Sequence, residues 1–486
     1  MSFRVARLTS QDRLEWNRVL TAGLAAGAVG AAAALAAPTV LLALAAMALF
    51  VFVAARPIWA AYLYLAALPF IGGIDRGVLI PLMRPSEGLQ AYLMAAVLGG
   101  VVYRCTRGET LRVRITRLDR AIVALCLLGS LWPLTWMLAR GQTPTAEDVF
   151  STFTLWRLAA LYVLFRWVVR TPAQIRRCLW ILLAGSCVLA VIALLQSSGL
   201  ITVGGVWTPT HVSDATGRGG ATLASSIAVG DYLAYSVAVV LVLYLRRAGP
   251  RLVLAAIAGV LILGSLGTGQ FSAWIALFLV VAIVILHEGQ PRQFPVWLLP
   301  VAVLAAAVAW PVITTRLAGF SSGLGVPSSW LGRIDNLTNF YLPRLGGFNW
   351  VLGVRPDSVL PAPETWRDVI YLESGVLWFF WVGGIPLFLG FVWFVHAALR
   401  HTRQVARARA DDIGVVALAV RAALWSIIVL SVIDMHLTLR GGGDLFFILL
   451  GISANRLVPV TPPERDGRRA PAEPIAWNTL GEERLQ

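Results

Sequence analysis

Uncharged apolar runs, each bounded by charge, glycine or proline, follow one another along most of the chain. About fourteen are long enough to consider as membrane spans. They lie near 19–36, 39–54, 57–71, 89–103, 121–138, 155–169, 178–196, 227–245, 252–267, 271–286, 296–313, 371–397, 413–433 and 442–458. Crossing a bilayer takes roughly 20 residues of helix, so the shorter second, third and sixth runs lower the count by up to about two. Two pairs of runs are joined by very short turns, Ala37-Pro38 and Thr268-Gly269-Gln270. The longest polar interruption runs from Thr314 to Ile370 and carries Arg316, Arg333, Arg344, Arg355 and Arg367. The pattern predicts an all-α polytopic membrane bundle of about 12–14 transmembrane helices with one large extracytoplasmic loop. Its expected parts are a cytoplasmic N-terminus (1–18), transmembrane helices (19–313), the loop (314–370), further transmembrane helices (371–458) and a disordered cytoplasmic tail (459–486).

Composition supports that class. The 486 residues are 58% hydrophobic and 13% charged, against about 25% charged in soluble domains. The formal charge of +15 comes from arginine alone, because the chain contains no lysine. With a cytoplasmic N-terminus, the inside segments collect Arg4 to Arg18, Arg56, Arg104 to Arg120, Arg166 to Arg177, Arg246 to Arg251, Arg292, Arg400 to Arg409 and the tail from Arg456. The short outside segments hold only Arg76, Arg84, Arg140, Arg218 and Arg440. This is the positive-inside asymmetry, and a long loop crosses regardless of its own charge. Cys105, Cys126, Cys178 and Cys187 show no metal-ligand or CxxC spacing and read as buried free thiols.

The inside arginines are accounted for by topology and anionic lipid. The outside ones need another explanation, and phosphate is the natural ligand for a guanidinium fork. Arg218 lies among glycines that permit close backbone approach, in Thr216-Gly217-Arg218-Gly219-Gly220, or else is a solvated loop residue. Arg316 follows a span directly and either binds an anion or snorkels to headgroups. Arg333 is a candidate whose competing explanation is an ion pair with Asp335. Arg157, beside Trp156, reads first as an interfacial anchor; Arg355 and Arg440 complete the set of candidate anion-binding residues. Among acids, Glu373 opens the post-loop helix, where it can act as a general base or merely cap the helix. Asp231 lies inside a span, which marks an ionisable group as functional unless it is paired. Asp434, with His436, closes the penultimate span, and His211 shares an outside loop with Asp214. The sequence has no HExxH, DxD or Walker-type motif, so zinc chemistry and nucleotide hydrolysis are not expected.

Four segments together resemble the O-antigen ligase and polymerase superfamily of bacterial polysaccharide assembly. Gly217-Arg218-Gly219-Gly220 through Ala224-Ser225-Ser226 to Gly230 is similar to the family's arginine-then-small-residue entry into a span. Leu266-Gly267-Thr268-Gly269-Gln270-Phe271-Ser272-Ala273-Trp274 is similar to its central turn, with Gln270 where Ser-Arg is frequent. Arg316, Arg333 and Trp350-Val351-Leu352-Gly353-Val354 resemble its large periplasmic loop. Tyr371-Leu372-Glu373-Ser374-Gly375, ahead of a span broken by Gly383-Gly384, resembles the helix after it. Ligases usually carry a histidine near the start of that helix, and Glu373 in its place shifts weight toward a polymerase.

The resemblance implies joining of undecaprenyl-pyrophosphate-linked repeat units at the outer face of the bacterial cytoplasmic membrane, without a cofactor. Glu373, Arg218, Arg316 and Arg333 would be catalytic; Arg157, Arg355, Arg440, Asp231 and Asp434 would bind substrate. Membrane lipids, a flippase and a chain-length regulator would be its partners, and nucleic acid would not. A ligase acting on another acceptor, a lipid-linked oligosaccharide flippase or transporter, and a polyprenyl-phosphate-sugar transferase are the alternatives. The topology is testable directly. A cysteine at Ser322 should react with an impermeant maleimide added outside intact cells and one at Ala408 should not; the reverse pattern contradicts the assignment.

Overall fold

The computed structural model describes residues 38–81, 83–108, 115–207, 218–288, 328–361 and 369–455, with isolated positions in 23–27 and 303–314. Arg316, His211, Asp214, Arg367 and the C-terminal tail lie outside the described residues. The described chain is almost entirely helical. In order come α1 (Pro38–Ala55), α2 (Ile58–Ile71), α3 (Pro85–Thr106), α4 (Arg117–Leu128), α5 (Leu131–Ala139), α6 (Ala146–Val168), α7 (Pro172–Ser197) and α8 (Ser226–Leu245). Then follow α9 (Arg251–Gly267), α10 (Phe271–Glu288), α11 (Ser328–Asn336), α12 (Asn349–Leu352), α13 (Gly375–Ala408), α14 (Asp412–Leu430) and α15 (Gly442–Ser453). Eight helices, counting α4 and α5 as one, are long and apolar enough to cross a membrane. Four shorter apolar helices, Val40–Ala55, Ile58–Ile71, Arg251–Gly267 and Gly442–Ser453, accompany them. The protein is therefore an all-α polytopic bundle.

Capping residues explain where several helices begin. Thr116, Thr145 and Thr171 each accept from the backbone N–H three residues on, and the side chains of Asp119, Asp148 and Gln174 return the bond. Ser225, Ser374 and Asp411 cap α8, α13 and α14 in the same way. The box at Thr145–Asp148 starts α6 well before the expected 155, because Asp148 and Arg157 are accommodated as paired charges within the helix. Helix α8 is the centre of the bundle. It is buried on nearly all sides and packs against α7, α9, α10, α14 and α15.

The two ends of the bundle are identified by contacts between distant segments. At one end Arg176 binds Asp412, Arg246 reaches Glu288 and the Arg409 carbonyl, and Arg166 pairs with Asp119. At the other, the α2–α3 connection meets the 434–444 turn and the segment before α8 through Arg440–Asp75 and the packing of Gly73 on Leu223. Gly219 N–H donates to the Gly267 carbonyl at 3.3 Å, which brings the α9–α10 turn to this same end.

The described part of the loop before α13, residues 328–361 and 369–374, is tied to the second end. Two helix breaks face one another there: α4 stops at Gly129-Ser130, and α13 breaks at Gly384 (φ 62°, ψ −153°), where the preceding Gly383 lies beside the Leu128 carbonyl. A broken helix leaves backbone groups unpaired, which apolar surroundings do not tolerate. The loop bonds to both broken helices. Val354 N–H donates to the Trp381 carbonyl at 2.6 Å, and Trp132 and Trp136 donate their indole N–H groups to the Leu352 and Gly353 carbonyls. Arg140 adds a bond to Asn349 at 3.0 Å and another to the Val354 carbonyl. Further on, a two-residue antiparallel ladder pairs Leu360–Pro361 (β1) with Val369–Ile370 (β2), and the buried Tyr341 hydroxyl lies 2.8–2.9 Å from the Ser358 and Ile370 carbonyls.

The break in α13 depends on glycine. A Cβ on Gly384 would lie 2.2 Å from the Val351 carbonyl, in a backbone region that is essentially closed to other residues. Gly384→Ala should lower stability by at least about 1–3 kcal/mol in a detergent unfolding assay. Gly204→Ala, with open space around it, should stay within about 0.5 kcal/mol.

Candidate functional site

The site builds outward from Arg333 on α11. Its Nε lies 3.3 Å from a Glu373 oxygen and its Nη2 lies 3.4 Å from Asp434 Oδ2. One guanidinium thus joins the loop, the residue before the α13 cap and the turn after α14. The expected competitor Asp335 is engaged otherwise, accepting from Asn339 at 2.7 Å. The capping explanation of Glu373 is also corrected. Ser374 caps α13 by accepting from Leu377 N–H, which leaves the Glu373 carboxylate with the arginine.

Behind Asp434 lies a buried dyad. His436 Nδ1 is 2.7 Å from Asp231 Oδ2, and both side chains are fully buried. The intraspan carboxylate is therefore paired, as the cost of burying a charge requires. Burial pulls the His436 pKa down, but Asp231 and then Asp434 outweigh it, so the net shift is upward despite the opposing Arg333.

A second group of charges lies where the α2–α3 connection meets α6 and the turn before α15. Arg157 pairs with the buried Asp444 at 2.6 Å, on the first turn of α15. The interfacial-anchor reading of Arg157 is thereby corrected: its side chain is 11% exposed and turned into the bundle. The neighbouring Trp156 instead donates to Ser130 at 2.9 Å. Arg440 bonds Asp75 at 2.6 Å, Arg84 lies 3.3 Å from Glu87, and Arg76 approaches Glu87 and Glu147 at 3.7 and 3.8 Å. Burial lowers the Arg84 pKa to about 10, with Arg440 adding to the effect and Glu87 opposing it. Four arginines and four carboxylates, Asp75, Glu87, Glu147 and Asp444, thus interleave in this group.

Arg218 lies on the segment leading into α8. Gly219 beside it approaches the Ala193 backbone so closely that a Cβ would meet its carbonyl at 2.5 Å. The same segment is fixed by Gln196 accepting from Ala221 N–H and by Thr222 donating to the Pro69 carbonyl. Gln270, in the central turn, donates to Ser226 Oγ at the start of α8. Of the three arginines expected to be catalytic, Arg333 is thus placed with the acids and Arg218 on the segment leading into α8, while Arg316 lies outside the described residues. Arg355 belongs to a separate clasp, binding Asp148 through two nitrogens at 2.8–2.9 Å. That bond raises the Arg355 pKa and fixes the loop to the start of α6.

The partner acids Asp148 and Asp444 are not among the residues singled out from the chain. Thr145-x-x-Asp148 and the acid following three glycines at 441–443 were the available signals. Compared with known proteins, the sequence matches no protein-family model and no curated protein.

The buried Arg157–Asp444 pair yields a quantitative expectation. Arg157→Met strands a buried carboxylate and should cost about 3–5 kcal/mol of stability. Adding Asp444→Asn, which keeps the cap but removes the charge, should restore most of that in the same unfolding assay. A neutral single substitution would contradict the pairing.

Proposed function

We propose that the protein is a membrane glycosyltransferase of the polysaccharide-polymerase kind, joining saccharide units carried on a polyprenyl pyrophosphate. The observation that carries this is the Arg333 bridge to Glu373 and Asp434, which sets an acid and a cation side by side where the loop closes on the bundle. Arg157, Arg440, Arg84 and Arg76 form a second group, interleaved with acids. Cations and a carboxylate are what a single displacement at an anomeric carbon needs. The acceptor hydroxyl oxygen attacks that carbon, the bond to the pyrophosphate oxygen breaks, and the leaving group departs with the electron pair. Glu373 takes the hydroxyl proton, while arginines stabilise the charge that grows on the leaving pyrophosphate. The cytoplasmic membrane of a bacterium is the setting this chemistry calls for, with the site outside.

A second reading is favoured by a separate observation. Paired helix breaks at Gly129-Ser130 and Gly384 are a feature of transporters, in which broken helices line a substrate path. Against it, the loop peptide at 349–354 bonds both breaks, through Val354 N–H on the Trp381 carbonyl and its own Leu352 and Gly353 carbonyls on the Trp132 and Trp136 indoles.

Glu373→Gln retains a hydrogen-bonding partner for Arg333 but loses the base. It should cut polymer formation by roughly 10²–10⁴ in cells lacking the native copy, with protein level and insertion unchanged. Arg333→Lys and Arg218→Lys should also lower polymer yield, since lysine keeps the charge without the fork. Normal polymer from Glu373→Gln would reduce that residue to a strut for Arg333.

A further inference from the structure

The dyad Asp231–His436 has no part in the bond-making just described, and its surroundings are unusual. It joins the central helix α8 to the turn 431–441, the turn that also carries Asp434 and Arg440. Both side chains are fully buried, and His436 Nε2 and Asp231 Oδ1 have no hydrogen-bond partner among the described residues. The turn packs without spare room: a Cβ on Gly442 would lie 2.8 Å from Asp231 Cβ, and one on Gly443 would lie 2.4 Å from the Leu437 carbonyl. The turn is otherwise held by its own backbone, through Asp434 N–H to Leu430, Gly443 N–H to Leu439 and the Asp434 carboxylate on Met435 N–H. It is also held on other elements by Val376 N–H to the Ser431 carbonyl at 2.9 Å, by Arg333 on Asp434 and by Arg440 on Asp75. Among described side chains, His436 is the bond from this turn to α8.

The charges that face the dyad come from several elements. Asp231 and Tyr235 are on α8, Asp434 is on the turn itself, and Arg333 with its partner Glu373 comes from α11 and the start of α13. Three carboxylates against one guanidinium leave a local excess of negative charge, which an imidazolium neutralises in part. The dyad is also a dead end. Beyond Ser236, α8 presents only apolar residues from Val237 to Leu243, so α8 offers no polar path from the dyad to the opposite end.

We propose that His436, as an imidazolium held on Asp231, is a positioning residue that latches the turn bearing Asp434 and Arg440 to α8, so that the site is assembled only while His436 is protonated. This rests on the glycosyl-transfer reading for its consequence but not for its geometry. Loss of the proton would leave the Asp231 carboxylate buried without a counter-charge, and the turn would be released from α8. The sign follows from the upward shift of the His436 pKa. The latch is fully engaged below about 6.5, the ordinary histidine value. It is lost as pH rises through the higher folded value. The site should therefore fail on the alkaline side.

Spin labels at Ile334 on α11 and Val432 on the turn, in protein with its four cysteines replaced by serine, read the turn position without any substrate. A single narrow distance at pH 6 should broaden or shift as pH rises toward 9, and Asp231→Asn should move that transition to lower pH. His436→Gln should give one distribution at every pH. A native distance independent of pH, or a transition that survives His436→Gln, overturns the latch. Polymer yield against pH in the unlabelled protein is the second arm. It should fall across the same interval, and a flat yield beside a clear distance transition would also overturn the link to the site. A distance transition in a protein that makes no polymer at any pH sustains the latch and refutes the glycosyl-transfer reading instead.

Discussion

A charge buried among apolar helices must find an opposite charge, and meeting that demand connects nearly every part of the site end. Asp444 finds Arg157, Asp231 finds His436, Asp148 finds Arg355, and Asp434 shares Arg333 with Glu373. Each pair joins segments far apart in sequence. Coulomb attraction at this depth only offsets the cost of desolvation, so such pairs contribute little net stability. Breaking one is nevertheless expensive, because the remaining charge has no water to turn to. The pairs therefore fix which helix ends meet, and the loop is held in place by the same requirement through Arg355 and Arg333.

The two helix breaks express the constraint in backbone form. A carbonyl freed by the break would be costly if left unpaired; Val354 N–H meets that of Trp381, while two tryptophan indoles satisfy the loop's own Leu352 and Gly353 carbonyls. The loop is thus part of the bundle as well as a cover over it. Its position explains how α11 can present Arg333 to acids that arise from α13 and the α14–α15 turn.

Much of the architecture was legible in the chain because apolar runs must be helices in a bilayer. Boundaries for α8, α9 and α10 fall within a few residues of the apolar runs, and the Gly383-Gly384 interruption marks the break in α13. Helix α6 starts earlier than its apolar run because Asp148 looks like the end of that run until its partner Arg355 is known. The same blindness affected the site. Individual residues such as Arg333, Glu373, Asp434 and Asp231 announce themselves by occurring where charge is costly. Which of them meet does not follow from local pattern, since Arg333 and Asp434 are 101 positions apart and His436 and Asp231 are 205 apart. Ser374 as the true cap of α13 was adjacent in sequence, but only geometry separates it from Glu373.

Because the arrangement of Arg333, Glu373 and Asp434 is read as a glycosyl-transfer site, the most direct test is reconstitution from purified parts. The protein would be placed in liposomes with a polyprenyl-pyrophosphate-linked oligosaccharide as the only sugar source, with no nucleotide sugar and with EDTA present. The account predicts a ladder of longer lipid-linked glycans and one polyprenyl pyrophosphate released for each new linkage. A donor that keeps its length and only changes leaflet would contradict it and identify the protein as a transporter.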